Sequence, residues 1–444
     1  MCDLADDCGD GSDEEGCSNH WKCEEFRDNS SDRKYLRLDS VCDGRFDCRD
    51  LTDECNKGCD KRINDSLELR GFAWVVGVSA SLINLLVLGR TVKDIALVKT
   101  QVALLNYTFI LLIALGDLMI GAYLLSIATA DQDQGDAYCK TRLEWLISYK
   151  CTILGIVSTT GSQISLFAMT CLSLYRAKYV SRQLPHPEIL NRESKVSAVV
   201  LAVVVIMVSA GIAVIPILPS LEDYFINGLY YATSPLLIGA PDKQDHLRAI
   251  EKHYGRFLTK QDVSWEVIRS MVKDMFTKDH NSIGVIGERL GFYGNSGVCL
   301  FKYFVTPDDP QRVYSLSVLS VNFLCFIAIT TSYLYINFIA TSVQTNNRTA
   351  ALQRKVAVII LTDFLCWVPF IIFSLLHYSE VINATKYYNL CSIVILPVNS
   401  VINPLLYDDL LQGAVLGVYK RLRACVRVVE HREDTGGVTM ETAN

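Results

Sequence analysis

A surplus of positive charge is missing from this chain. Its 42 Lys and Arg face 48 Asp and Glu, a formal charge of −6 with a pI near 5.7. That balance excludes a nucleic-acid partner, which normally demands a basic face. No apolar run follows Met1, because Met1-Cys2-Asp3-Leu4 leads into acidic residues. A cleavable secretory leader is therefore not visible, and either the first apolar span acts as a signal anchor or the natural N-terminus lies upstream. Strand-length segments of alternating polarity are also lacking, which excludes a closed membrane barrel. The apolar spans show no matched pair of interrupted helices in two halves, the pattern expected of a repeat-built transporter.

What is present is apolar. Half of the 444 residues are hydrophobic and the mean hydropathy is +0.24, too high for an ordinary soluble protein of this length. Seven nearly continuous apolar runs lie at about 71–89, 102–129, 152–174, 196–219, 313–341, 356–376 and 388–407. Each approaches the roughly 20 residues that a helix needs to cross a bilayer. Basic residues set the orientation: Arg90, Lys93 and Lys99 follow the first run, and Arg176, Lys178, Arg182, Arg192 and Lys195 follow the third. Arg348, Arg354 and Lys355 follow the fifth, and Lys420, Arg421, Arg423 and Arg427 follow the seventh. All fall on one side, so the positive-inside rule places the N-terminus outside and the C-terminus inside.

The cysteines agree with that topology. Eight of 16 precede Gly71, a density typical of an oxidising, extracellular compartment. The sequons at Asn29, Asn64 and Asn383 fall outside and are the expected glycosylation sites, whereas Asn106 and Asn347 fall in a span and in a cytosolic loop.

Asp117 in the second run and Asp363 in the sixth sit among apolar residues, where a charge costs about 2.5–3.5 kcal/mol. They need inward-facing partners. Asn84, Ser165, Asn399, Ser400 and Asn403 supply enough oxygens for a polar cluster around Asp117 that could hold water or a sodium ion; ordinary polar adhesion between helices is the competing reading for any one of them.

These residues also carry a resemblance. Asn84, Leu115-Gly116-Asp117, Ser165 placed eleven residues before Arg176, Cys366-Trp367-Val368-Pro369 and Asn403-Pro404-Leu405-Leu406-Tyr407 resemble the helix landmarks of rhodopsin-like G-protein-coupled receptors. Phe72-Ala73-Trp74-Val75-Val76, the Phe292–Cys299 run, Leu361–Pro369 and Ile395–Ser400 are most similar to the relaxin and glycoprotein-hormone receptor group. The likeness covers about residues 68–425 apart from one loop. It implies a disulfide between Cys151 and Cys299. It also implies a hinge at Trp367 and Pro369, a polar relay of Asp117 with Ser165, Asn399 and Asn403, and an activation set that includes Asp363 and Pro404. Arg176, Tyr333 and Tyr407 would contact a heterotrimeric G protein. The superfamily usually places an acid before its arginine, but this chain reads Leu174-Tyr175-Arg176-Ala177. Weak restraint of the inactive state, with ligand-independent signalling, is the expected consequence.

The N-terminal cysteines resemble LDL-receptor class A modules: a partial copy at 1–17, with Cys2, Cys8 and Cys17, and a second at 18–59, with Cys23, Cys42, Cys48 and Cys55. The second copy closes early at Cys55 or with an offset at Cys59, and has Tyr35 where the family keeps its third cysteine. Disulfides and calcium stabilise such small units. Asp43, Asp47, Asp53 and Glu54, with carbonyls of Val41 and Arg45, are the expected calcium ligands. In relaxin-type relatives this module acts as a tethered activator. The family also carries leucine-rich repeats before the membrane, and the 11 residues of the 60–70 linker cannot hold one.

The expected architecture is an all-α seven-helix membrane bundle over 71–409 with disulfide- and calcium-stabilised extracellular modules. An eighth helix and cytoplasmic tail follow at 410–444, where Cys425 suits palmitoylation against membrane lipid. A long second extracellular loop, about 220–312, contains an expected amphipathic helix, with Thr259 and Asp262 at capping-box spacing and Trp265, Ile268, Val272, Met275 and Phe276 at helical intervals. The implied function is that of a plasma-membrane receptor, not an enzyme, passing an extracellular peptide or protein signal to a G protein. The alternatives are a multi-span transporter and an endocytic lipoprotein-type receptor.

Overall fold

The computed structural model describes residues 20–22, 35–37, 41, 55, 62–64, 66–98, 101–135, 138–183, 195–221, 224–225, 228–233, 236–240, 285–307, 309–343, 347–382, 384 and 387–407. Helix α1 runs Leu67–Leu97, α2 Gln101–Gln134, α3 Tyr138–Ile147, α4 Tyr149–Gln183, α5 Lys195–Val214, α6 Arg312–Val343 and α7 Asn347–Tyr378. The last segment begins with a turn at Tyr388–Leu390, widens into a π-helix at Cys391–Ile395 and continues as α8, Val398–Tyr407. Six of the helical segments among the described residues are long and apolar enough to cross a membrane. The sixth expected span lies within α7, whose described apolar part is Phe364–Tyr378.

Local chemistry accounts for the start of α1. Ser66 caps α1 by accepting a hydrogen bond from the Leu69 N–H at 3.4 Å. Ala73, Val76, Gly77, Ala80, Asn84, Val87 and Thr91 then form a buried stripe at helical spacing, while Val75, Val78, Leu82, Leu85 and Leu86 stay exposed on the remaining faces. A helix apolar all round suits lipid on one side and protein on the other. Helices α2 and α4 cross where Gly116 meets Gly161, and a Cβ on Gly116 would lie 2.5 Å from the Gly161 carbonyl oxygen. Glycine lets the backbones approach beside Asp117.

The π-helix has a similar logic. Pro397 has no N–H to offer the preceding turn, and the backbone widens just before it, with Leu396 N–H reaching the Cys391 carbonyl at 3.0 Å. The extra residue sets the facing of Asn399, Ser400 and Asn403.

Strands are the departure from the all-α expectation. Beyond α5, β1 (Gly228–Thr233), β2 (Leu236–Ala240) and β3 (Val285–Leu290) form an antiparallel sheet in the order β2-β1-β3, while His20–Lys22 pairs with Tyr35–Arg37 inside the expected second module. Residues 228–233 read Gly-Leu-Tyr-Tyr-Ala-Thr, a β-prone run in a loop whose helical pattern lies further on. That pattern, from Thr259 to Phe276, falls outside the described residues.

Candidate functional site

One end of the bundle carries both disulfides found among the described residues. Cys151 at the start of α4 is bonded to Cys299, with Cα atoms 5.2 Å apart, the geometry of an ordinary bridge. It anchors the stretch 291–305, which fills the mouth between the helices. Phe292, Tyr293, Val298, Phe301, Tyr303, Phe304 and Val305 are all buried. Buried backbone in such a stretch must find partners, and tyrosine and tryptophan supply them. The Tyr123 hydroxyl donates to the Val298 carbonyl at 2.6 Å, the Trp145 Nε1–H to Gly297 at 2.7 Å and the Tyr293 hydroxyl to Ala213 at 2.7 Å. Tyr314 donates to Ile212, and the Phe304 N–H reaches the Tyr388 hydroxyl at 3.1 Å. Burial pushes the Tyr293 phenol well above its usual range. The Lys302 ammonium is held below the usual lysine range by burial and opposed by Asp309, 2.7 Å away.

Two expectations are corrected at this end. Cys55, placed inside the second module, is bonded instead to Cys139 on α3. In the 60–70 linker, Ile63 and Asn64 are buried. The Asn64 N–H donates to Asp131 at 3.0 Å, and Asn389 Nδ2 donates to the Ile63 carbonyl at 2.8 Å. Asn64 is 1% exposed, so its side chain has no space for the expected glycan. A sequon identifies the acceptor, whereas burial decides access.

Beneath that plug lies a cavity of about 40 Å³, lined by Asp117, Ser158, Ser162, Ser165, Trp367, Ser392, Asn399, Ser400 and Asn403, with Leu300 and Tyr303 of the plug also on its wall. One water needs about 10–15 Å³ on the same measure, so a few waters or one partly hydrated small cation fit. Asp117 is 1% exposed. Its Oδ1 accepts from the Ser400 hydroxyl at 3.1 Å and its Oδ2 from Asn403 Nδ2 at 3.4 Å. Asn84 Nδ2 donates to the carbonyls of Ala80 and Ser400, both at 2.8 Å, tying α1 to α8. The Cys366 thiol donates to Asn399 Oδ1 at 3.3 Å. A carboxylate with hydroxyl and amide oxygens is a hard-oxygen donor set suited to sodium. The rings connect this cavity to the plug: Trp367 is edge-on to Phe370 at 6.4 Å, and Phe370 to Tyr303 at 4.6 Å.

At the opposite end, Arg176 Nε and Nη2 donate to the single Oδ1 of Asn106 at 3.2 and 3.1 Å. Tyr333 is buried on α6, and its hydroxyl has no hydrogen-bond partner among the described residues. Pro369 lies inside α7 and Pro404 inside α8. Asp363 and Tyr407 have helical backbone, but their side chains fall outside the described residues, and half-buried Val41 is the one described member of the expected calcium set. Cys2, Cys17, Cys23, Cys42, Cys48, Asp43, Arg45, Asp47, Asp53, Glu54, Asn29, Asn383 and Cys425 also lie outside them.

Sequence reasoning missed three contributors: Cys139, Asn106 and the pair Leu300 and Tyr303. Cys139 had a signal, being a cysteine between the second and third apolar runs on the cysteine-rich side. Asn106 had been visible only as a sequon within a span. Nothing local marks Leu300 or Tyr303, because their role depends on how deeply a loop descends.

Comparison with known proteins adds to this geometry. Residues 273–407 match the family described as 7 transmembrane receptor, rhodopsin family. The chain is 27% identical to the G-protein coupled receptor GRL101 of Lymnaea stagnalis over 76% of its own length and 24% of that protein's. It is 26% identical to relaxin receptor 2 of Canis lupus familiaris over 81% of this chain and 40% of the relative. It is also 22% identical to the follicle-stimulating hormone receptor of Bos taurus over 79% of this chain and 39% of the relative. The chain thus spans between a quarter and two fifths of the length of these relatives.

Proposed function

We infer that this chain is a plasma-membrane receptor of the rhodopsin type, which its similarity to that family supports, and that it passes an extracellular peptide or protein signal to a heterotrimeric G protein. The reading takes seven spans with the N-terminus outside, α7 being the sixth. The observation that carries it is the polar joint at Asp117. A buried carboxylate held by Ser400 and Asn403 beside a proline-containing helix offers hydrogen bonds that can rearrange as helices move. Such a joint has no use in a static membrane anchor, and insertion of Asp117 would cost about 2.5–3.5 kcal/mol.

The plug supports an agonist that acts on the outer surface. With the mouth filled by buried aromatics, a large ligand gains purchase on the N-terminal segment or the loop, and the ring path from Tyr303 through Phe370 to Trp367 carries the displacement inward. The N-terminal module is suited to take part, because Cys55 is fixed to α3 through Cys139. Calcium held by Asp43, Asp47, Asp53 and Glu54 would order that module, sodium beside Asp117 would favour the closed state, and lipid attached at Cys425 would hold the tail to the membrane.

Ligand binding then shifts a two-state equilibrium between closed and open faces at the Arg176 end. Measuring G-protein activation in cells, with and without sodium replaced by a bulky organic cation, tests this. Sodium should lower ligand-free output in the wild type, and Asp117→Asn should remove that dependence while preserving expression. Absence of G-protein activation under every condition would overturn the receptor reading.

A further inference from the structure

The arginine of the coupling end lacks an acid before it in sequence, yet the structure supplies it with an acceptor from another helix. Asn106 stands in the first turns of α2, and Arg176 near the end of α4. Both the Nε and the Nη2 of Arg176 converge on Asn106 Oδ1, at 3.2 and 3.1 Å. Two N–H groups of one guanidinium on one oxygen fix the direction of the side chain, and hydrogen bonds from a charged donor are stronger than neutral ones. Position 175 is tyrosine, so the preceding residue offers no negative charge.

We propose that Asn106 is a positioning residue that holds Arg176 in the closed state, a neutral clasp from α2 taking the part of a charged contact within α4. The inference rests on the receptor reading above and extends it to how the resting state is set. A carboxylate would hold the guanidinium by full charge attraction, whereas an amide oxygen offers only its dipole. The contribution of this contact to the closed state is therefore smaller than a carboxylate in its place would make. The closed state depends on α2 and α4 keeping their spacing, which the close contact of Gly116 with Gly161 sets further along the same two helices. The amide also serves a polarity that a carboxylate would not, because Asn106 lies within an apolar stretch where an ionised acid is costly to insert.

The test is ligand-free recruitment of a panel of luciferase-tagged, minimised G-protein α subunits to the full chain in cells, at matched surface expression. Asn106→Leu should raise basal recruitment about tenfold, the population change that follows loss of a charge-assisted hydrogen bond favouring one state. Asn106→Asp keeps the shape and strengthens the acceptor, and should lower recruitment below wild type. Tyr175→Glu added to Asn106→Leu should bring recruitment back toward wild type by restoring an acceptor from the usual direction. That rescue would not follow if Asn106 merely packed α2. Unchanged recruitment in both single variants, or a rise in both, overturns the clasp while leaving the receptor reading intact. Failure of every subunit to be recruited by any form overturns the receptor reading itself.

Discussion

The two ends of the bundle are held in different ways. At the disulfide end, two covalent bridges, a packed aromatic plug and hydroxyl or indole donors to Val298, Gly297 and Ala213 determine the arrangement several times over. At the Arg176 end, the described polar contact is a neutral amide on a guanidinium, and the buried Tyr333 hydroxyl has no hydrogen-bond partner among the described residues. A buried hydroxyl left unpaired costs about 1–3 kcal/mol, and among the described residues unpaired buried polar atoms occur at both ends, the Tyr333 hydroxyl at this one and the Asn295 amide and Ser296 hydroxyl within the plug stretch. The contrast is one of kind: covalent bridges and aromatic packing fix the first end, whereas hydrogen bonds from Arg176 to Asn106 join α2 to α4 at the second. Between them the Asp117 cavity couples α1, α2 and α8 through hydrogen bonds that have alternatives.

The strongest way to break this contrast is to remove the bridge beneath the plug. Cys151→Ser and Cys299→Ser should each abolish surface expression, with the double variant no worse, since losing a native bridge costs about 2–5 kcal/mol in small secreted domains. Antibody labelling of intact cells reads the outcome, and additive losses would show that the two cysteines act separately. Cys55→Ser and Cys139→Ser should lower surface expression less. They join a peripheral segment to α3, and mass spectrometry of unreduced peptides should recover the Cys55–Cys139 cross-link.

Smaller changes sharpen the comparison. Tyr123→Phe leaves the Val298 carbonyl without its donor and should cost about 1–3 kcal/mol. Thermal unfolding of the detergent-purified chain should show a lower apparent midpoint with basal signalling little altered, because the rest of the plug still holds. An equally large rise in basal signalling would mean that the plug, and not the Arg176 end, sets the resting state. The smallest effect belongs to Asn64→Gln, which should leave electrophoretic mobility as it was, whereas Asn29→Gln and Asn383→Gln should each remove one glycan-sized increment. A mobility shift for Asn64→Gln would show that the 62–64 segment detaches before glycosylation.

Much of the site was legible without coordinates because membrane insertion penalises polarity. Asp117, Asn84, Ser400 and Asn403 stand out against apolar neighbours, and the structure brings them within hydrogen-bond reach. The three-stranded sheet, the Cys55–Cys139 pairing and the burial of Asn64 were not legible. Strand pairing joins residues 228–233 to 285–290 across a long separation, and cysteine connectivity is not encoded in spacing alone. The contact of Asn106 with Arg176 was not legible for a related reason, since a sequon describes local chain chemistry and says nothing about which arginine of a neighbouring helix will arrive beside it.

By itself the sequence determined the membrane class, the apolar spans and the identity of the polar residues placed within them. Those follow from transfer energies that each residue carries with it, whatever its neighbours. Only the tertiary structure decided that 291–305 descends as a plug, that Cys55 meets Cys139 and that Asn106 receives Arg176. Each of those depends on the angle and depth at which helices pack, settled by close contacts such as Gly116 against Gly161, and such geometry is a property of pairs of surfaces rather than of any one segment.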